Sequence, residues 1–128
     1  MPAAADVVRS FLDAVEARDV RAVVAHFAAE ATWQNVPHPP AEGRAGIRAM
    51  LAGILERSET VRWDVVSESY APGRAWLERV DRFWIDGVEY AVECNGVLEI
   101  DEDTGLITEL RDYVDLGEWR ARLASAQL

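Results

Sequence analysis

Apolar residues recur at helical spacing in the first half of the chain and alternate with polar residues in most of the rest. The helical spacing predicts helices over residues 4–17, from Asp19 to Phe27 with Asp19 as its cap, and over residues 45–56. The alternation, broken by glycine-containing turns, predicts strands over residues 31–36, 60–70, 74–85, 88–100 and 106–115. A short helix over residues 118–124 closes the chain, and residues 37–43, P-H-P-P-A-E-G, read as a loop.

Helices followed by an antiparallel meander predict an α+β fold in one domain spanning residues 1–128. The predicted strands are long and the helices are few. We therefore expect a strongly curved, mostly antiparallel sheet that folds over the N-terminal helices, so that both share one core. Such a sheet encloses an apolar pocket between itself and the helices.

Three charged residues occupy positions where the alternation calls for apolar ones. Arg79 and Asp81 share a strand face with Leu77 and Phe83, and Asp112 falls on the apolar face of the last strand. A buried carboxylate is costly unless it is paired. If the last strand crosses the same pocket, Arg79 bridges both carboxylates and one of the two keeps its proton. The result is a matched acid and base, although Arg79 and Asp81 alone are also compatible with a structural ion pair.

Asn35 adds a possible water site to this group. Trp33 and Asn35 share a face of the strand over residues 31–36, and an amide both donates to and accepts from water. A water held by Asn35 and deprotonated by one aspartate would be a nucleophile. The other aspartate, protonated, would donate to a leaving oxygen.

Charge and cysteine content exclude several classes of partner. The formal net charge of −10 argues against binding to nucleic acid or to an anionic membrane. The single cysteine, Cys94, rules out an internal disulfide and indicates a cytoplasmic protein. No segment has the length of a membrane span. No metal-ligand spacing or phosphate-binding glycine loop is visible either, so the motifs predict no metal site.

Several segments resemble the limonene-1,2-epoxide hydrolase family. They are V-V-R-S-F-L-D-A-V-E-A-R-D, T-W-Q-N-V-P-H-P-P-A-E-G-R, L-A-G-I-L, E-R-V-D and L-R-D-Y-V-D-L-G-E-W, which together span nearly the whole chain. The resemblance implies a curved mixed sheet over helices, related to nuclear transport factors, ketosteroid isomerases and small polyketide cyclases. It also implies a homodimer that works without a cofactor.

The resemblance assigns a role to each member of the group. Asp112 would be the base that deprotonates water, Asp81 the acid that protonates the epoxide oxygen, and Arg79 the bridge between them. Asn35 would position the water. The family has a tyrosine as a further water ligand where this chain has Trp33, whose indole N–H donates a hydrogen bond but accepts none. The implied pocket walls are Leu12, Val15, Ile54, Phe83, Val92, Cys94, Val114 and Trp119.

These observations favour a hydrolase that adds water to a small apolar epoxide and releases a vicinal diol. A cyclase or isomerase on the same fold is the alternative, because it needs only one base and an oxyanion donor. A binding protein that retains the charges as structure is a third interpretation. Separately, tryptophans on the outer face of the strand over residues 74–85, Trp76 and Trp84 around Val80, predict that a second copy covers this face as a homodimer.

Overall fold

The computed structural model of the protein describes residues 2–126, which form four α-helices, six strands and a C-terminal 3₁₀ turn at Ala124–Ala126. The helices are α1 (Ala4–Glu16), α2 (Val20–Ala25), α3 (Gly43–Arg57) and α4 (Leu116–Leu123). The strands are β1 (Phe27–Val36), β2 (Ala41–Glu42), β3 (Thr60–Ala71), β4 (Arg74–Ile85), β5 (Val88–Ile100) and β6 (Ile107–Val114).

The strands form one curved sheet in the order β2-β1-β6-β5-β4-β3. β1 runs parallel to β6, and every other neighbouring pair is antiparallel. A register shift between Val65 and Ser67 bulges β3 and increases its local twist. The predicted α+β fold, with N-terminal helices against a curved and mostly antiparallel sheet, is confirmed.

The N-terminal helices supply the second layer of the core. α1 buries one stripe against the sheet, and its members Val8, Phe11 and Val15 are almost fully inaccessible to solvent. Asp19 caps α2 as predicted, because its side chain accepts a hydrogen bond from the Ala22 amide at 3.0 Å.

The first strand differs most from the prediction. The predicted helix runs to Phe27 and the predicted strand begins at residue 31, yet α2 ends at Ala25 and β1 begins at Phe27. Phe27 is fully buried and pairs with Ile107 on β6, a partner 80 residues later in the chain. Pairing with a distant strand therefore overrides the local helical preference of the alanines. The predicted loop over residues 37–43 also contains the two-residue strand β2.

The turn between β4 and β5 fixes which residues face inward on both strands. Asp86 and Gly87 both have positive φ, 52° and 77°, as a two-residue hairpin turn requires. The hairpin sets Arg79 opposite Cys94 and Asp81 opposite Val92. The charged positions of β4 thereby face the concave side of the sheet.

Candidate active site

The inner face of β4 carries two charged residues between two apolar ones. Leu77, Arg79, Asp81 and Phe83 are all buried, with Arg79 only 1% and Asp81 only 7% exposed. β3 and β5 flank this stretch on both sides. The alternation therefore correctly predicts which residues of β4 face inward.

Arg79 binds Asp81 through two parallel hydrogen bonds. Its Nε donates to Oδ1 and its Nη2 donates to Oδ2, each over 3.0 Å. The planar guanidinium matches the two oxygens of a carboxylate in this arrangement. Both side chains are buried, so each group depends on the other for its charge to be tolerated.

Asp112 reaches the same guanidinium from two strands away. β5 lies between β4 and β6 in the sheet, yet Oδ1 of Asp112 is 3.1 Å from Nη2 of Arg79. Asp112 is itself only 5% exposed. The structure thus brings together Arg79, Asp81 and Asp112. The sequence predicted this group only if the strand that carries Asp112 crosses the same pocket.

Gly96 makes this approach across β5 possible. It pairs with Leu77 on one side and with Asp112 on the other. A Cβ at this position would lie 2.5 Å from Nη1 of Arg79 and 2.7 Å from Oδ1 of Asp112. Sequence reasoning did not select Gly96, although a glycine inside a long strand is a signal of close approach by another group.

The second oxygen of Asp112 accepts a hydrogen bond from Trp33. The indole Nε1 donates to Oδ2 over 3.0 Å, and both groups are buried. The indole of Trp33 therefore binds the carboxylate directly, at a position where the resemblance implies a ligand of water.

Burial raises the pKa of the Asp112 carboxyl above its usual range. The positive charge of Arg79 and the hydrogen bond from Trp33 oppose the rise, whereas the nearby Asp81 adds to it. A raised pKa makes Asp112 a stronger base in its ionised form. The pKa of Arg79 behaves differently: burial disfavours its charge, but Asp112 and Asp81 outweigh burial and hold its pKa well above the ordinary value.

Cys94 contacts the same group from β5. Its Sγ lies 3.0 Å from Nη2 of Arg79 and 3.5 Å from Oδ2 of Asp81. Burial, as the largest effect, raises the pKa of the thiol, which therefore stays neutral. Cys94 lines the cavity, as predicted. In addition, its thiol contacts the Arg79–Asp81 ion pair.

Asn35 lies beside Asp112 on the neighbouring strand. The two residues are paired in register between the parallel strands β1 and β6. Asn35 and Asp112 also line the same cavity. An amide and a carboxylate side by side on one wall can hold a water molecule between them.

These polar groups border a cavity of about 140 Å³ whose remaining walls are mainly apolar. Six of the predicted wall residues line it: Ile54, Phe83, Val92, Cys94, Val114 and Trp119. Sequence reasoning missed four further wall residues, Met50, Leu51, Trp63 and Leu116. Met50 and Leu51 lie on the apolar stripe of α3, and Trp63 occupies an inward position in the alternation of β3. These three wall residues could therefore have been predicted from the sequence.

Leu12 and Val15 do not line this cavity, which corrects the prediction. Both are buried in the core on α1. Phe11 of the same helix packs against Trp33 and Trp63, with ring centroids 5.8 Å and 6.3 Å apart. Because both indoles line the cavity, they separate α1 from it.

Comparison with known proteins places the chain in a family. The family described as SnoaL-like domain matches residues 8–110, most of the chain.

The chain belongs to the SnoaL-like domain family.

Solved structures of other SnoaL-like and related proteins share its fold. An LEH-like epoxide hydrolase of M. tuberculosis is 24% identical with a TM-score of 0.77, covering 95% of this chain and 90% of that one. A protein assigned as a SnoaL-like polyketide cyclase, from Shewanella denitrificans OS-217, is 14% identical with a TM-score of 0.82, covering 95% and 97%. A protein with a ketosteroid isomerase-like fold from Catenulispora acidiphila DSM 44928, solved with trimethylamine, is 23% identical with a TM-score of 0.74, covering 91% and 90%.

At these identities the neighbours of the SnoaL-like chain establish its fold, and the chemistry must be argued from its own side chains. Within residues 2–126, His, Cys, Asp and Glu side chains form no group of three or more arranged to hold a metal ion. In the same part of the chain, none of the helices has the length and apolar character needed to cross a membrane.

Proposed function

We propose that this chain is a cofactor-independent epoxide hydrolase that converts a small apolar epoxide into a vicinal diol. The observation that carries the proposal is the buried guanidinium of Arg79 between two carboxylates at an apolar cavity. With both carboxylates ionised the trio has a net charge of −1 in a buried site. Retention of one proton by the pair relieves that charge and supplies an acid and a base together.

Asp112 is the base in this proposal. Asn35, its neighbour in register, holds a water at the cavity wall, and the Asp112 carboxylate takes a proton from that water. The water oxygen then forms a bond to one epoxide carbon. Once ionised, Asp112 removes a proton more effectively because its pKa is raised, and the base role requires that the shared proton of the pair sits on Asp81.

Asp81 is the acid. As the C–O bond of the epoxide breaks, the departing oxygen takes the proton of Asp81, and the product carries one hydroxyl from water and one from the epoxide. A carboxylic acid keeps acceptor capacity on its oxygens, so Asp81 still accepts from Arg79 while its proton points to the substrate. Return of a proton from Asp112 to Asp81 restores the starting state.

The cavity favours an uncharged and compact substrate. Its walls include Phe83, Trp119 and Val92, and its volume of about 140 Å³ lies below the usual range for sites of drug-sized ligands. The polar side-chain groups along its lining belong to residues with assigned roles, to Cys94 and to the indoles of Trp63 and Trp119. A charged substrate would lose its hydration there, and the charge of Arg79 is already balanced by the two carboxylates.

The direct test is turnover in ¹⁸O-labelled water. The protein is incubated with limonene oxide, cyclohexene oxide and styrene oxide, and the products are analysed by mass spectrometry. We expect a diol with one labelled oxygen from at least one epoxide at a rate well above that of the buffer, and a rate close to that of the buffer with Asp112→Asn under the same conditions. If none of the epoxides yields labelled diol above the rate of the buffer, the proposal fails.

A second candidate is proton transfer next to a carbonyl, as in a cyclase or isomerase. The hydrogen bond from Trp33 to Asp112 favours it, because that bond takes up acceptor capacity that could otherwise bind water. This reaction incorporates no oxygen from water. Loss of deuterium from the α-carbon of a cyclic ketone, without ¹⁸O incorporation into a diol, would support the second candidate over the first.

We also propose that the outer face of the sheet forms a homodimer. Trp76 and Tyr113 are 38% and 49% exposed on this face. The guanidinium of Arg74 lies 5.6 Å from the Trp76 ring and leaves part of it uncovered. Sedimentation velocity measures the assembly, and Trp76→Glu is expected to shift a dimer toward the monomer.

A further inference from the structure

The position of Trp33 suggests a role different from binding water. Its Nε1 donates to Oδ2 of Asp112 over 3.0 Å, and the residue is 3% exposed. An indole has no acceptor, so this N–H has one hydrogen bond to give and gives it to the carboxylate. Within residues 2–126, Oδ1 of Asp112 accepts no well-aligned hydrogen bond, so Trp33 supplies the directional contact.

The Trp33 ring is held rigidly in place. It stacks on Phe27 with ring centroids 5.5 Å apart and an angle of 23°, and it meets Trp63 edge-on at 6.1 Å and 90°. Phe11 packs on it from α1 with centroids 5.8 Å apart. A donor fixed on three sides cannot follow a carboxylate that rotates, so it selects one orientation of Asp112.

We propose that Trp33 is a positioning residue that holds Asp112 in one orientation and in its ionised form, ready to accept a proton. Arg79 contacts Oδ1 and Trp33 bonds Oδ2, so rotation of the carboxylate would break both contacts. Asn35 flanks the same carboxylate in register. The water is thus bound by Asn35 and by the remaining acceptor capacity of Asp112, and Trp33 acts through Asp112.

The surroundings of Asp112 define what a pH experiment reports. The titratable groups that face it among the described residues are Arg79 and Asp81 on β4 and Cys94 on β5. β1 faces it with Trp33 and Asn35, neither of which titrates. A hydrogen bond to the ionised form lowers the pKa of a carboxyl, so its removal raises the pKa of Asp112.

The first arm of the test needs no substrate, and its outcome is therefore independent of the proposed function. The chain has five tryptophans, whose indole N–H signals are resolved by ¹H–¹⁵N NMR and assigned with single Trp→Phe variants. We expect the Trp33 signal to shift as Asp112 titrates and to lose this pH dependence in Asp112→Asn. A Trp33 signal that is independent of pH and unchanged in Asp112→Asn would overturn the proposal.

The second arm rests on the proposed function and compares Trp33→Phe with Trp63→Phe. Both indoles are buried at the cavity, but Nε1 of Trp63 makes no hydrogen bond to any of residues 2–126. In Trp33→Phe we expect the acidic limb of the kcat/KM profile to move to higher pH. The rate at neutral pH should fall about tenfold, with partial recovery in alkali.

Trp63→Phe removes no hydrogen bond within the described part of the chain and keeps an aromatic ring beside the Arg79 guanidinium, which lies 4.6 Å from the Trp63 ring. The midpoint of its acidic limb is therefore expected to stay in place whatever its rate. Equal shifts in both variants, or no shift in Trp33→Phe, would overturn the positioning role. If no epoxide is turned over, the proposed hydrolase function falls, while the NMR arm still decides between the two roles of Trp33. If Trp33→Phe does not fold, the NMR measurement on the wild type and on Asp112→Asn still tests the proposal.

Discussion

Each face of β4 carries an arginine that binds a carboxylate, and the two ion pairs have opposite surroundings. On the inner face the side chains of Arg79 and Asp81 are 0% and 9% exposed. On the outer face Arg82 binds Asp64 of β3 over 2.8 Å, and these side chains are 30% and 38% exposed. The molecule therefore holds one arginine–aspartate ion pair in its low-dielectric interior and another that is partly exposed to water.

The outer pair belongs to a row of partly exposed ion pairs on β3, β4 and β5. Arg82 also binds Glu89 on β5 over 2.7 Å, and Arg62 binds Asp64 over 3.0 Å. Water screens such pairs, so each contributes little to stability. The inner pair depends on its geometry, because loss of one partner leaves a buried charge without compensation. An apolar pair would fill the inner positions at no desolvation cost, which favours a chemical role for the charges.

Replacement of the buried cation should have the largest effect. Arg79→Met leaves two carboxylates without their guanidinium, and we expect a loss of about 3–5 kcal/mol in the free energy of unfolding at pH 7. Turnover should be lost as well. Removal of the positive charge raises the pKa of Asp112 further, so its folded-state pKa lies above the unfolded one. The loss should therefore shrink as the pH falls toward 5.

Urea unfolding at pH 7 and pH 5 measures this difference. If Arg79→Met is as stable as the wild type at pH 7, the inner pair is no more important to the fold than an exposed one.

Removal of the base should separate activity from folding. Asp112→Asn is expected to lower kcat at least about a hundredfold, because the variant has no proton acceptor at this position. The Asn amide conflicts with one of the two donors, Arg79 or Trp33, so stability at a single pH is less informative than its pH dependence.

The pH dependence has a defined sign. Burial raises the pKa of Asp112 in the folded state, so its contribution to stability is greatest below the unfolded pKa of about 3.9 and is lost as pH rises through the folded pKa. The stability difference should therefore move in favour of Asp112→Asn between pH 4 and pH 8, as thermal melts across this range would measure. A constant difference would contradict the raised pKa.

Filling the space that Gly96 leaves on β5 should have a smaller but measurable effect on stability. Gly96→Ala places a methyl group 2.5 Å from Arg79 and 2.7 Å from Asp112, and we expect a loss of about 1–3 kcal/mol in the free energy of unfolding together with most of the activity. Gly53→Ala is the matched control, because nothing lies within 4 Å of its Cβ and it sits inside α3.

The control variant should gain roughly 0.5–1 kcal/mol, the helix preference of alanine over glycine. Denaturant titrations of both variants measure the pair. If Gly96→Ala is as stable as the wild type, the contact between Arg79 and Asp112 does not depend on a glycine at position 96.

Disruption of the outer pair should have the smallest effect. Arg82→Gln removes contacts to Asp64 and Glu89 but leaves the inner face unchanged. We expect a melting temperature within the error of replicate scans and unchanged kinetics. A loss comparable to that of Arg79→Met would show that exposure does not distinguish the two faces.

Much of the sheet could be predicted because its signal is local. The alternation along β3, β4, β5 and β6 states which residues share a face, and the Asp86-Gly87 turn fixes the register of one hairpin. The same reasoning could not place the start of β1. There, burial of Phe27 against Ile107 outweighs the helical preference of the alanines that follow.

The residues of the site also differ in whether a local sequence pattern predicts them. Arg79 and Asp81 are two residues apart on one strand, so the sequence by itself determined that they are neighbours on an inward face. Only the tertiary structure decided that Asp112 meets them across β5, that Gly96 leaves room for this, and that Trp33 donates to Asp112. Strand alternation is a property of adjacent residues, whereas contacts across a sheet depend on strand order and register, which the whole core sets.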